Sequence, residues 1–246
     1  MIFISHRGES VDAPENTIPA FKLAMERNTS GSECDIHLTR DNVLVTIHDS
    51  NTRRIGDREM VVEESAYSEL EMVDASNHKP EYSGTKIPRF SETLKYLGSD
   101  RLYYVEIKSG DPAVIDAMID ELDKAGIAPE QVVMISFYEN IVRIFKERYP
   151  ERKALLLLSF RVFSNGTWAP TANQLIAKLR DLNADGIDIS GNLNFISADY
   201  IRRVKDAGFE FAVWTIDDEN TAKAFIDLGV DAITSNCAAR LQKIFS

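Results

Sequence analysis

The chain has 246 residues, of which 44% are hydrophobic and 27% are charged, a composition typical of a globular protein with a sizeable core. Its formal net charge of −11 argues against a broad binding surface for nucleic acid or for an anionic membrane. No apolar run approaches about 18 residues, and the N-terminus lacks a basic segment followed by a long apolar stretch, so we expect no membrane span, no signal peptide and a cytoplasmic location.

β-rich segments and helical patterns alternate along the chain. The first segment, IFISH, ends in His6 and Arg7, and residues 16–27 follow with apolar side chains at helical spacing. The later β-rich segments read, in order, SECDIHLT, VLVTIHD, LYYVEIK, VVMIS, KALLLL, GIDIS, EFAVWT and DAITS, mostly with a helical pattern between them. Such β–α repeats predict a parallel sheet covered by helices, and about eight of them predict a closed (β/α)8 TIM barrel.

Nine β-rich segments are one too many for an eight-stranded ring. The second and third are separated only by a tight turn at residues 40–42, whereas parallel neighbours need a crossover of a dozen or more residues. Either these two form an antiparallel hairpin, or one of them lies outside the ring. Residues 49–90 then interrupt the alternation, since they are polar, contain two prolines and hold one short helical pattern near residues 68–72. We interpret residues 49–90 as a small insertion after the third strand of a single barrel domain that spans residues 1–246.

Two histidines occupy matching positions at the ends of β-rich segments. His6 is followed by Arg7, and His48 is followed by Asp49. Because the functional groups of a TIM barrel lie at the carboxyl ends of its strands, the two imidazoles can meet there as a general base and a general acid. The alternative is that each histidine only makes a hydrogen bond at a strand end, and the residues alone favour neither interpretation.

Two acidic side chains lie two positions apart in the second β-rich segment. Glu33 and Asp35 therefore face the same side of the strand. Inside a barrel they would have to be paired or to bind a hard cation such as Mg²⁺ or Ca²⁺. A hairpin that folds about the Asp41–Asn42 bond would place Asp35 opposite His48 and on the same face as Glu33. In isolation, a solvated strand face remains the simpler interpretation.

The fourth segment repeats this pattern with one acidic and one basic residue. Glu106 and Lys108 share a face, where Glu106 could be a third ligand of a cation and Lys108 could neutralise an anion. The alternative is a salt bridge between the two. Arg7 adds a second positive charge, on a side chain shaped for bidentate contact with phosphate. Phe137 and Trp214 fall at the ends of later segments, where they would either wall a pocket or pack over the barrel mouth.

Taken in order, these motifs resemble the glycerophosphodiester phosphodiesterase family. The resemblance rests mainly on HRGESVDAPENTIPAF and ECDIHLTRDNVLVTIHD, and it spans most of the chain because VEIK, SF, VWTID and GVDAITS follow in the family's order. It implies a TIM barrel with a small insertion after the strand that bears His48. The chain departs from the family pattern in two places. The last strand reads Thr234-Ser235-Asn236, without the usual Asp and proline. The turn after the second segment has Asn42 where Gly is common, and Asn tolerates the same positive φ.

The resemblance also implies a role for each candidate residue. It implies one divalent cation, either Mg²⁺ or Ca²⁺ with Mn²⁺ as a third option. The implied roles are cation binding for Glu33, Asp35 and Glu106, acid–base catalysis for His6 and His48, and phosphate contact for Arg7 and Lys108. Glu15 and Asn16 belong to the family's signature, and we interpret them as shaping the mouth of the site and the start of the first helix.

The implied reaction is hydrolysis of a small-molecule glycerophosphodiester to sn-glycerol 3-phosphate and an alcohol. The sequence does not decide which histidine is the base, and we take His6 as the base and His48 as the acid as a working hypothesis. One alternative is a lysophospholipase D-type enzyme, whose substrate needs an apolar groove that the polar residues 49–90 do not offer. The other alternative is a non-catalytic phosphodiester-binding protein.

Overall fold

Eight parallel strands close into a barrel in the computed structural model, which describes residues 1–246. Strand β1 pairs with β2 on one side and with β11 on the other, so the ring has no free edge. The eight strands are β1 (Ile2–Ser5), β2 (Gly31–Leu38), β4 (Leu102–Ile107), β5 (Val132–Ser136), β6 (Lys153–Leu158), β9 (Gly186–Ser190), β10 (Glu210–Trp214) and β11 (Ala232–Ser235). The predicted (β/α)8 TIM barrel is confirmed.

Helices cover the outside of the barrel. The longer ones are α1 (Ile18–Glu26), α4 (Ala113–Lys124), α5 (Glu139–Arg148), α6 (Ala172–Leu182), α7 (Ala198–Asp206), α8 (Glu219–Leu228) and α9 (Ala238–Phe245). Short helical turns are α2 (Tyr67–Leu70), α3 (Phe90–Thr93) and the 3-10 segments Pro80–Tyr82, Leu94–Tyr96 and Pro129–Gln131. The sequence patterns did not indicate α9 or the small hairpin of β7 (Arg161–Val162) and β8 (Trp168–Ala169). No helix combines the length and the apolar character needed to cross a bilayer.

The ninth β-rich segment is the partner of β2 in an antiparallel hairpin outside the ring. This strand, β3 (Leu44–Thr46), pairs Ile36 with Thr46. The turn contains Asn42 at φ 59°, as expected where Gly is common. The predicted pairing of Asp35 with His48 is wrong by one residue, because the ladder places Asp35 beside Ile47, whose N–H donates to the Asp35 carbonyl at 3.1 Å. The turn is centred on Asp41 and not on the Asp41–Asn42 bond, so the register of the hairpin differs by one residue from the prediction.

Residues 49–90 follow β3 and form a small packed unit. Nine buried residues, Val45, Ile47, Ile55, Val62, Tyr67, Leu70, Val73, Ala75 and Ile87, make a separate hydrophobic cluster between this segment and β3. The helical turn α2 lies close to the predicted position at residues 68–72. A segment that is polar on average therefore buries enough apolar side chains to hold its loops in place beside the barrel.

The barrel interior changes character along its axis. Lower layers are apolar and include Ile4, Tyr104, Val133, Leu155 and Ala232. Toward the carboxyl ends of the same strands, the inward positions become polar and charged, because residues two apart on a strand share a face. The layer that follows the apolar core is therefore where the candidate residues meet.

Candidate active site

A cavity of about 70 Å³ opens at the carboxyl ends of the strands. Its lining residues are His6, Arg7, Glu33, His48, Glu106, Lys108, Ile135, Phe137, Leu157, Asp188, Trp214 and Thr234. Eight of the nine site residues predicted from sequence belong to this lining, and the ninth, Asp35, is fully buried beside it. Most of the charged side chains come from β1 to β4 or the residues just after them, with Asp188 on β9 as the exception, whereas the apolar ones come from β5, β6 and β10 or just after them.

Three buried carboxylates lie together under the cavity. Glu33 and Asp35 come from β2 and Glu106 comes from β4, whose register places Glu106 beside Asp35. One carboxylate oxygen from each lies within 4.8 Å of the other two. The interpretation of a solvated strand face is wrong, because this face of β2 points into the closed barrel and not to water.

Asp35 is the most heavily contacted of the three. Arg7 Nε lies 3.1 Å from Asp35 Oδ2, and Lys108 Nζ lies 3.4 Å from Oδ1. The side-chain amide of Asn16 donates to Oδ2 at 2.7 Å, and the backbone N–H of Asp35 donates to Asn16 Oδ1 at 3.1 Å. Burial acts to raise the pKa of Asp35, but the charges of Arg7 and Lys108 outweigh it and hold the pKa well below its usual range. Asp35 is therefore an ionised carboxylate.

The other two carboxyl groups are destabilised in their ionised form. Burial, with the charge of Asp35, raises the pKa of Glu33 well above its usual value and that of Glu106 to about 8. Lys108 Nζ lies 2.8 Å from Glu106, so the salt bridge considered from the sequence is present.

The donor set fits a divalent cation. Asp35 Oδ1 is buried and accepts no hydrogen bond, although Lys108 Nζ lies 3.4 Å away, and oxygen ligands from clustered carboxylates suit Mg²⁺ or Ca²⁺. A cation at this point would favour the ionised forms of Glu33 and Glu106, which burial alone disfavours. The chain thus contains a buried acidic cluster that could hold such an ion.

Arg7 is held at the cavity wall by an unusual backbone conformation. Its φ is 56°, and its N–H donates to Glu33 Oε2 at 2.9 Å while its carbonyl accepts from Asn16 N–H. The next residue, Gly8, has φ 76°, and a Cβ there would lie 2.5 Å from the Ala20 backbone, so only Gly allows α1 to pack this closely. Such backbone conformations persist where many surrounding contacts hold them in place, and they are common at functional sites.

His6 is oriented by a chain of hydrogen bonds from residues that follow β10 and β11. Asn236 Nδ2 donates to Asp217 Oδ2 at 2.7 Å, and Asn236 N–H donates to Asp217 Oδ1 at 2.8 Å. The amide oxygen of Asn236 must therefore face His6, whose Nδ1 lies 2.7 Å away. Burial and the neighbouring Arg7 lower the pKa of His6 to about 4. The neutral ring carries its proton on Nδ1, and Nε2 is left as an acceptor in the cavity.

His48 has a charged partner instead. Its Nδ1 lies 2.6 Å from Asp49 Oδ1, so Nδ1 carries the proton because a carboxylate only accepts. Burial is the main cause of its lowered pKa, and the carboxylates of Asp35 and Asp49 act in the opposite direction. Arg54 Nε donates to the other oxygen of Asp49 at 2.8 Å, and this arginine also contacts Glu15, the partner of Arg7.

Phe137 and Trp214 form the apolar side of the cavity. Their rings meet edge to face at 5.8 Å, and Trp214 Nε1 donates to the Asp188 carbonyl at 3.2 Å. Of the two interpretations from the sequence, the pocket wall is the one that the structure supports.

Several residues that build the site were not found from the sequence. Asp217 and Asn236 orient His6, and Asp188 lines the cavity. Asn16 does not start the helix, since α1 begins at Ile18 and the Asn16 side chain binds Asp35 instead. A signal was available only for Asp188, which is an acidic residue at an inward position of the strand GIDIS. The others depend on contacts between distant parts of the chain.

Comparison with known proteins agrees with this geometry. The model of the glycerophosphoryl diester phosphodiesterase family matches residues 6–239. The chain belongs to this family. A glycerophosphodiester phosphodiesterase from Caldanaerobacter subterraneus subsp. tengcongensis is 30% identical over 240 residues, which is 96% of this chain and 93% of that protein. The resemblance noted in the sequence is confirmed, as is the prediction that the chain is an enzyme, a phosphodiester hydrolase of this family.

Solved structures share the fold over the whole chain. A phosphodiesterase from Oleispira antarctica, in complex with the product sn-glycerol-3-phosphate, has a TM-score of 0.88 and 26% identity, and the match covers 100% of this chain and 97% of that one. A glycerophosphodiester phosphodiesterase from Thermotoga maritima has a TM-score of 0.79 at 20% identity, with 99% of this chain and 98% of that one covered, and it supports the fold alone.

Proposed function

We propose that this enzyme hydrolyses glycerophosphodiesters to sn-glycerol 3-phosphate and an alcohol with the help of one divalent cation. The observation that carries the proposal is the meeting of two imidazoles, one guanidinium and a cluster of carboxylates in a single cavity at the carboxyl end of the barrel. Glu33, Asp35 and Glu106 would hold the cation. When bound, it would act as a Lewis acid toward a phosphoryl oxygen. The solved relative with sn-glycerol-3-phosphate bound supports the nature of the product.

Arg7 and Lys108 are assigned to the phosphate. Both side chains line the cavity and are mostly buried, at 16% and 14% exposure, so their charges act in a low-dielectric environment. Arg7 is held by contacts with Asp35 and Glu15, which fix the guanidinium before a substrate arrives. Fixed positive groups that face developing negative charge lower the barrier of a phosphoryl transfer.

The two histidines are assigned opposite roles from their hydrogen-bond partners. His6 faces a neutral amide, which leaves Nε2 as a proton acceptor, so His6 takes a proton from the nucleophile. His48 faces the carboxylate of Asp49, which stabilises the protonated ring against the effect of burial, so His48 gives a proton to the leaving alkoxide. Each role is typically worth about 10²–10⁴-fold in rate.

A lysophospholipid substrate is a second candidate because apolar side chains stand exposed at the mouth. Phe137 is 42% exposed, and Val162 and Phe163, in the hairpin after β6, are 58% and 44% exposed. These side chains follow β5 and β6, whereas the polar insertion follows β3. These exposed apolar side chains favour a substrate with an acyl chain, whereas the polar insertion does not.

The experiment is release of sn-glycerol 3-phosphate from a panel of glycerophosphodiesters by purified protein. The protein is first stripped with EDTA, and Mg²⁺, Ca²⁺ or Mn²⁺ is then added singly. Turnover restored by a cation supports both the reaction and the cation requirement. Greater release of choline from lysophosphatidylcholine than from glycerophosphocholine favours the second candidate. Binding of substrate without turnover under all conditions contradicts the proposal and favours a non-catalytic binding protein.

A further inference from the structure

Asp188 is a buried carboxyl group for which the proposed chemistry has no use. It lies on β9, is 1% exposed and lines the cavity. Its Oδ1 atom has no hydrogen-bond partner in the chain. Burial, with the charge of Glu106, raises the pKa of Asp188 to about 8. Buried polar groups are almost always paired in native proteins, so an unpaired carboxyl at a cavity wall indicates a partner that enters from the cavity.

The neighbouring strands offer this carboxyl no partner. Leu157 on β6 and Ala212 on β10 lie level with Asp188, and Ala232 on β11 lies level with Ala212. None of these side chains can donate or accept a hydrogen bond. Two of the three are alanines, the smallest side chains that carry a Cβ. Asp188 is therefore the one polar side chain among these aligned positions, and it lines the cavity.

A second unpaired polar atom lies in the same wall. Thr234 on β11 is 2% exposed, lines the cavity, and its hydroxyl Oγ1 has no hydrogen-bond partner. It lies two positions after Ala232 and hence on the same inward face. Asp188 and Thr234 thus flank β10 on the part of the wall that carries no arginine, lysine or histidine.

We propose that Asp188 and Thr234 form a hydroxyl-binding subsite that holds the glycerol end of the substrate. This proposal rests on the proposed function above, since it names which end of the diester enters the cavity. A carboxyl group can accept a hydrogen bond from an alcohol when ionised, and can also donate one when protonated, so the pairing does not depend on its charge. The alcohol to be released then points to the open mouth, where different headgroups fit.

Equilibrium binding tests the subsite without turnover. Calorimetry with a fixed concentration of Ca²⁺ compares sn-glycerol 3-phosphate with propyl phosphate, which has the same chain and phosphate but no hydroxyl groups. We expect wild type to bind sn-glycerol 3-phosphate about 10- to 100-fold more tightly, as hydrogen bonds to buried polar groups would give. Binding avoids one ambiguity, because loss of a hydroxyl would also stop a reaction in which that hydroxyl is the nucleophile.

Two variants at one position separate hydrogen bonding from charge. Asp188→Leu and Asp188→Asn both remove the negative charge, but only Asn keeps hydrogen-bonding atoms. We expect Asp188→Leu to lose most of the preference for sn-glycerol 3-phosphate while its affinity for propyl phosphate changes less than about threefold. Asp188→Asn should keep most of the preference, and Thr234→Val should lose a smaller part. Thermal unfolding of each variant confirms that it is folded.

Three results would overturn the subsite. The first is that wild type binds sn-glycerol 3-phosphate and propyl phosphate with equal affinity. The second is that the preference for sn-glycerol 3-phosphate persists in Asp188→Leu. The third is that Asp188→Leu loses affinity for both ligands equally, which would indicate a structural role. Hydrolysis of glycerophosphocholine by wild type, measured alongside, separates this failure from failure of the proposed function. Turnover with no hydroxyl preference removes only the subsite, whereas absence of both turnover and binding removes both proposals.

Discussion

His6 and Asn236 are separated by 230 positions in the chain, yet the imidazole Nδ1 of His6 lies 2.7 Å from Oδ1 of Asn236. The pairing of β1 with β11 that closes the barrel brings the two together. Asp217 holds the amide of Asn236 in one orientation, since its carboxylate can only accept hydrogen bonds. Closure of the barrel thus brings the proposed base to the two side chains that set its tautomer.

The first prediction concerns this orientation. Asn236→Ala should lower kcat about 10-fold or more and change KM little, because His6 keeps its place but loses the partner that fixes its proton on Nδ1. Steady-state kinetics on glycerophosphocholine measures both constants. Ser10→Ala is the matched control, since Ser10 Oγ donates to the same oxygen at 3.0 Å without touching His6. A change below threefold in Asn236→Ala would show that the amide does not position the base.

The second prediction separates the two histidines by the leaving group. A p-nitrophenyl leaving group needs no proton, so His48→Ala should lose about 10²–10⁴-fold on glycerophosphocholine and much less on the p-nitrophenyl diester of glycerol 3-phosphate. His6→Ala should lose activity on both, because the nucleophile is the same. Comparison of kcat for both variants on both substrates tests the assignment. The reverse pattern would exchange the roles, and near wild-type turnover in either variant would remove its acid–base role.

The sequence predicted the parts of the site that follow strand periodicity. Glu33 and Asp35, like Glu106 and Lys108, are two apart on strands whose alternation assigns them one face, and the family motifs supply the two histidines. Sequence alone did not decide whether the face of Glu33 and Asp35 is wet or buried, because that depends on closure of the ring. Only the closed barrel of the structure shows that the face of Glu33 and Asp35 points inward.

The parts that the sequence did not predict depend on contacts between distant loops. Arg54 belongs to the insertion, yet it joins Glu15 to Asp49 through hydrogen bonds of 2.7 to 2.8 Å. Neither its neighbours nor its spacing distinguish it from other exposed arginines of residues 49–90. The register of β3 was missed by one residue for a similar reason, since the centre of a tight turn is set by backbone geometry and not by side-chain pattern.

The third prediction uses the pH dependence of stability at Glu15. Burial acts to raise the pKa of Glu15, but hydrogen bonds from Arg54 and the charge of Arg7 outweigh it and hold the pKa below its usual value. Ionised Glu15 therefore stabilises the folded state above the unfolded pKa of about 4.3, and this contribution is lost as the pH falls through the lower folded pKa. Glu15→Gln should cost about 1–3 kcal/mol at pH 7 and less below about pH 4.

Urea unfolding of wild type and Glu15→Gln at pH 7 and at pH 3.5 measures this difference. Glu59→Gln is the control, because Glu59 pairs with Arg53 at the surface, where one ion pair contributes at most about 1 kcal/mol. A difference between wild type and Glu15→Gln that stays constant, or grows, as the pH falls would contradict the contribution of the charged pair.

The fourth prediction tests the carboxylates as cation ligands. A cation at about 100 times its Kd should stabilise the wild type by about 2.7 kcal/mol, or roughly 5–10 °C in Tm. The double variant Glu33→Ala with Asp35→Ala should lose this shift with Mg²⁺, Ca²⁺ and Mn²⁺. Differential scanning calorimetry with and without cation compares each protein with itself, so any change in cation-free stability cancels. Glu63→Ala with Glu64→Ala removes two exposed charges and should keep the shift. An unchanged shift in the first double variant would exclude Glu33 and Asp35 as the ligands, since the remaining carboxylate, Glu106, cannot hold the ion alone.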